Sequence, residues 1–236
     1  MWLLTLVGLA AASSPLDLAR PPGLRGWSRF AWDPTWTLAF GAGHPLPTGG
    51  RVERLEAHAE AVLPIVLLPA FNSGALWAGA SGRLGGGGFG LDLGADTGLI
   101  RAESELGRQL GWSVDLWARP GLHGRVGDLA LDVGLRQGLA THLHHSAAVH
   151  DLYGDRYPEG GPTGAVTGPT DGWFRAPVER LRVGVLGGKL LGDHLGLSGG
   201  GGWEWTPQEQ GIPSNPSIGQ LPFTVRLDLE LRWPPD

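Results

Sequence analysis

The residues best equipped for chemistry in this chain fall in one short stretch, Thr141-His142-Leu143-His144-His145-Ser146, followed by His150-Asp151. Four of the 8 histidines lie here. Imidazole nitrogens suit zinc and nickel, so His142, His144, His145 and His150, with Asp151 beside them, are candidate ligands for such an ion. No spacing among them is diagnostic, and a solvated strand end running into a loop would carry the same residues. Tyr153, Asp155, Tyr157 and Glu159 follow and offer the oxygen donors that calcium takes. The pair His144-x-Ser146 has a different use, because an imidazole next to a serine hydroxyl can activate it for attack on an ester.

A second set of candidates is spread along the chain: Arg54, Glu56, Glu60, Arg83, Asp92, Asp115, Arg119, Asp132, Arg136, Arg180, Arg182, Arg226, Asp228, Glu230 and Arg232. Both signs occur in similar number, so a fold that enclosed these charges could pair them into a plug. Gly90, Gly94, Gly134, Gly184, Gly200 and Gly202 share their faces and would open a narrow polar conduit instead. Residues 85–88, all glycine, read as a turn and not a phosphate loop, since no Lys-Ser/Thr pair and no helix follow.

What must position these residues is visible at the C-terminus. Leu221, Phe223, Val225, Leu227, Leu229, Leu231 and Trp233 alternate with Pro222, Thr224, Arg226, Asp228, Glu230 and Arg232. Strand side chains alternate between faces, so this segment has one apolar and one charged face. It is about as long as a bilayer-crossing strand. The same period of two predicts strands at 35–43, 51–63, 74–84, 88–96, 111–119, 126–137, 178–189 and 194–205, with a further first strand at 24–32.

The links alternate between short turns (44–50, 85–87, 120–125, 191–193) and longer loops (64–73, 97–110, 139–177, 206–220). That places all the long loops at one end of an up-and-down arrangement. The fold class expected is therefore all-β, a closed antiparallel transmembrane barrel of about ten strands, with eight as the alternative if 24–32 is a linker. Most of Trp27, Trp32, Trp36, Trp77, Trp112, Trp117, Trp203, Trp205 and Trp233 fall near strand ends, where an interfacial girdle would place them; Trp77 and Trp117 point by parity to the polar face.

Composition agrees. Gly at 41 and Pro at 19, with charged residues at only 17%, disfavour long helices and favour strands with many turns. A net charge of −5 without a basic stripe argues against nucleic acid as a partner. The absence of Cys removes thiolate metal sites, disulfides and cysteine nucleophiles. At the N-terminus, residues 2–12 form a short apolar run ending in Ala10-Ala11-Ala12, an A-x-A cleavage pattern, although no Lys or Arg precedes it. The expected organisation is a signal peptide at 1–12, a linker at 13–23 and the barrel at 24–236.

Taken together, the exported N-terminus, the alternating strands and the amphipathic last strand resemble a small Gram-negative outer-membrane β-barrel protein. In that family an aromatic near the end of the last strand is part of the signal for barrel assembly; here Pro234-Pro235-Asp236 follows Trp233. The resemblance implies outer-membrane localisation, with membrane lipid and the barrel assembly machinery as partners and no cofactor. It implies a non-catalytic structural or interaction element, or a narrow passive pore with a charge-paired lumen. Two alternatives stand beside it. His144-x-Ser146 resembles the His-x-Ser pair of outer-membrane lipid A deacylases, although Ala147 stands where that family has Asn, and a soluble exported β-sandwich binding module would also use amphipathic strands.

Overall fold

The computed structural model of the protein describes residues 25–32, 36–64, 74–86, 88–104, 107–124, 126–148, 150–151, 171–174, 178–192, 194–205 and 223–233. The expected signal peptide and linker, and Tyr153, Asp155, Tyr157 and Glu159, lie outside them. Eleven strands form: β1 (Arg25–Trp32), β2 (Trp36–Pro45), β3 (Val52–Pro64), β4 (Gly74–Gly86), β5 (Phe89–Ser104), β6 (Gly107–Gly124), β7 (Gly127–His145), β8 (Gly172–Phe174), β9 (Val178–Leu191), β10 (Leu195–Trp205) and β11 (Phe223–Trp233). All but the three-residue β8 belong to one ring. Each pairs antiparallel with its neighbours, and β1 pairs with β11, Phe30 opposite Leu229, so the sheet closes on itself. The result is a ten-stranded barrel in a single closed layer, not two stacked sheets. Closure leaves no open edge in the ring and satisfies backbone donors and acceptors within the sheet.

The links at 46–51, 87–88, 125–126 and 192–194 gather at one end. Gly88 and Gly192 take φ values of 94° and 83° there, a left-handed conformation that side chains with a Cβ rarely adopt. At the opposite end the strands differ from the sequence expectation. Residues 97–110, expected as a loop, are mostly strand: β5 continues to Ser104 and β6 begins at Gly107, with those two residues paired. The expected turn at 120–125 is likewise strand as far as Gly124. Pro120 sits opposite Leu91 of β5, and the β6–β7 ladder passes over Arg119 and Pro120, which accommodates the missing N–H.

The expected loop at 139–177 also starts late, because β7 runs on to His145. A bulge at Leu139 makes this possible: Ser113 pairs with Gly138 and Trp112 with Ala140, so side-chain parity flips beyond it. Since β9 pairs with β7 only as far as Gln137, the last eight residues of β7 stand clear of β9 and are flanked instead by β6 and β8. Among the described strands, those on one side of the barrel are therefore taller than the rest.

The outer surface is apolar. Phe30, Phe40, Leu76, Leu93, Leu116, Leu131, Val185, Leu197, Val225, Leu227, Leu229 and Leu231 all face outward and exposed. Higher on the tall side the outer face changes character: Arg101 and Arg108 donate to Glu103 there at 2.8 and 3.2 Å. These hydrogen bonds hold the Glu103 carboxyl below the usual carboxylate range. The tryptophans divide between two environments. Trp112, Trp203 and Trp205 are exposed outside, whereas Trp27, Trp77 and Trp117 are buried within the barrel. Trp27 thus departs from the girdle expectation, and its inward position follows from strand parity with Arg29.

Candidate functional site

Inside the ring, alternation puts every one of the expected charges on the lumen face. Glu56, Glu60, Asp92, Asp115, Arg119, Asp132, Arg136, Arg180, Arg182, Arg226, Asp228, Glu230 and Arg232 are buried, while Arg54 and Arg83 are partly so and stand opposite each other on β3 and β4. They form ion pairs. Arg83 binds Asp92 with two hydrogen bonds of 2.6 and 2.8 Å. Asp132 lies between Arg119 at 2.7 Å and Arg182 at 2.5 Å, and Arg136 donates to Asp115 at 3.0 Å. On β11, Arg226 meets Asp228 and Arg232 meets Glu230, each at 2.6 Å. Enclosing a carboxylate with an arginine in this way offsets part of what each group loses in leaving water.

Three further members of the network, Arg29, His58 and Asp96, share these inward faces and escaped the sequence selection. Arg29 donates to Glu60 at 2.6 Å, and the Trp27 indole N–H donates to the other Glu60 oxygen at 3.0 Å. His58 Nε2 lies 2.6 Å from Asp96 Oδ1, and the Trp117 indole N–H donates to Asp96 Oδ2 at 3.0 Å. The signal that could have found them is parity alone, applied to polar residues of every type.

Large side chains pass over several of the lumen glycines. Gly41 stands between Trp27 on β1 and Glu60 on β3, opposite both, and a Cβ there would enter the indole ring. Gly94 and Gly98 lie under Trp117 and Trp77 in the same manner. Gly134, between Trp117 and Arg182, is covered by the Arg182 guanidinium. Gly90 has His123 and Arg83 over it. At Gly90, Gly94 and Gly134 the volume released is taken by a large side chain from a neighbouring strand. Arg119 and Arg136 stack over Trp117 and Trp77 at 4.2 and 4.8 Å, filling the same region. Gly184 and Gly202 differ, since they face each other across the β9–β10 ladder.

The second candidate site crowns the tall side. Beyond the bulge, Thr141 and Leu143 turn inward and are buried, while His144 points out. Residues 147–148 and 150–151 are helical, and the Ser146 carbonyl accepts the His150 N–H at 3.2 Å. Asp171, just before β8, reaches this corner. Its Oδ1 accepts from the His145 backbone N–H at 2.8 Å and lies 2.7 Å from His145 Nδ1; its Oδ2 lies 2.8 Å from His144 Nδ1 and 3.5 Å from His150 Nε2. These contacts, the backbone one foremost, hold the Asp171 carboxyl well below the usual carboxylate range.

Of the histidines expected here, three converge on one carboxylate, and that carboxylate is Asp171 in place of Asp151, which is exposed on the helical turn. His142 packs edge-on against Trp173 of β8, ring centroids 5.1 Å apart. Among the described residues, Ser146 Oγ is buried without a hydrogen-bond partner.

The fold and these two sites define a closed ten-stranded β-barrel with an apolar exterior and an ion-paired interior. Neither a family profile nor a curated protein sequence matches the chain. Among solved structures, the translocator domain of autotransporter NalP from Neisseria meningitidis is similar at a TM-score of 0.44 and 14% identity, over 93% of this chain and 90% of that one.

Proposed function

We propose that this chain is a non-catalytic outer-membrane barrel of a Gram-negative bacterium, a structural or interaction element whose lumen is closed by paired charges and tryptophans. The observation that carries the reading is the division of faces. Leucine, valine and phenylalanine cover the outside, and arginine–carboxylate pairs fill the inside. Hydrocarbon tolerates the first and excludes the second, so lipid is the solvent that matches this arrangement. Outer-membrane lipid is then the principal partner, and the assembly machinery acts on β11 during insertion. The reading needs no cofactor and no esterase step, in keeping with the unpartnered Ser146 hydroxyl.

A narrow passive pore is the second reading, favoured by the part of the inner wall of β9 and β10 where Gly184, Gly188, Gly196, Ser198 and Gly202 carry little side-chain volume. Two measurements test these proposals. Fractionation of expressing cells should place the protein with outer membranes, in a form whose gel mobility shifts on boiling; recovery in a detergent-free soluble fraction would defeat the membrane reading. Planar bilayers containing inserted protein should stay silent for the closed element, and regular single-channel steps would favour the pore.

A further inference from the structure

The corner where β7, the helical turn and Asp171 meet has the donor set of a transition-metal site. We propose that His145, His150 and Asp171 bind one zinc-class divalent cation at the barrel rim, with His144 holding the carboxylate from outside. The donor atoms of the three ligands all lie within 4.8 Å of one another. Donors around a tetrahedral zinc, each about 2.0–2.1 Å from the ion, stand roughly 3.3 Å apart, so shifts on the order of 1 Å complete the site. The two imidazole rings stand edge to face, at 85° with centroids 6.0 Å apart.

Chemistry narrows the ion. Two imidazole nitrogens with one carboxylate suit zinc and its neighbours, whereas calcium and magnesium take oxygen ligands. Three protein ligands leave a fourth position for water, and the cluster's exposure at the rim lets the ion enter. His144 meets the carboxylate oxygen opposite the one His145 contacts, and so acts as an outer partner that orients Asp171. The fold brings the set together in two steps. The Leu139 bulge turns His145 toward the barrel axis, and the turn closed by the Ser146 carbonyl brings His150 back over it.

The test uses the full chain folded in detergent and titrated with zinc alone, by calorimetry and by competition with a chromophoric chelator. One equivalent should bind. His145→Ala, His150→Ala and Asp171→Asn should each weaken binding by about 100-fold and His144→Ala by about tenfold, while His142→Ala and Asp151→Asn leave it unchanged. His145→Gln serves as a second variant of the same ligand, and folding of each variant is verified by its mobility shift on boiling. Cobalt in place of zinc should give the strong visible absorption of a tetrahedral ion. Failure of the wild-type protein to bind, or binding that survives the His145→Ala/His150→Ala double variant, overturns the proposal without touching the membrane reading.

Discussion

His58 Nε2 stands 2.6 Å from Asp96 Oδ1 although a whole strand, β4, runs between the strands that carry them. The residue of β4 opposite both is Gly79. With no side chain at that position, a histidine and an aspartate two strands apart can meet over the backbone. Trp27 and Glu60 do the same over Gly41. Glycine in this barrel is thus the floor beneath a bridge, and the wall's pairing depends on it.

Filling that floor should break the bridge. A Cβ at Gly79 would meet both Asp96 Oδ1 and the Ala95 carbonyl, the latter being backbone that cannot swing aside. Gly79→Val is expected to lower stability by about 3 kcal/mol, combining overpacking with a separated buried pair. Gly49→Ala, with open space around it, should be neutral. Denaturant titration of both variants in detergent reads the difference, and equal midpoints would contradict the role given to Gly79.

The lumen tryptophans should respond unequally to Phe. Trp117→Phe removes a hydrogen bond to Asp96 and is expected to cost about 1.5–3 kcal/mol, as for a bond to a charged group. Trp77→Phe should cost less than about 1 kcal/mol, since the Trp77 indole N–H has no acceptor among the described residues. Unfolding midpoints of the pair decide, and a larger loss at Trp77 would refute the assignment.

On the outer wall, Leu227 lies midway along β11 and faces out. If lipid surrounds it, Leu227→Arg should cost about 2–4 kcal/mol in folding into phospholipid vesicles. The same substitution on a water-facing wall would be nearly silent, so the vesicle measurement separates the two surroundings.

Acid should release the rim in a definite direction. The Asp171 carboxyl is held below its ordinary value, so its contribution is present above the unfolded value of about 3.9 and is lost only as pH falls through the lower folded value. Exchange of the His145 amide, which donates to Asp171, should therefore remain protected down to about pH 4 and open below it. Loss of protection between about pH 7 and 5 would run against that sign.

The ring was legible because the period of two persists. Val225, Leu227, Leu229 and Leu231 on β11 alternate with charged residues, comparable alternation recurs on β3, β5 and β9, and each charge it assigned inward is inward. Legibility failed where the two faces meet the same solvent. Above Leu99 the outer face of β5 becomes Arg101 and Glu103, so the alternation fades while the strand continues to Ser104. A bulge such as that at Leu139 leaves no mark on composition, yet it reverses which of His144 and His145 turns inward. Asp171 was out of reach for another reason: 26 residues separate it from His145, and only the pairing of β8 with β7 brings it back.

Because β5, β6 and β7 rise above their neighbouring strands, the described part of the cylinder has a high parapet on one flank. A rotationally even tube has no heading in the plane it occupies; this one does. Two copies placed side by side would be distinguishable by which flank each turns to the other.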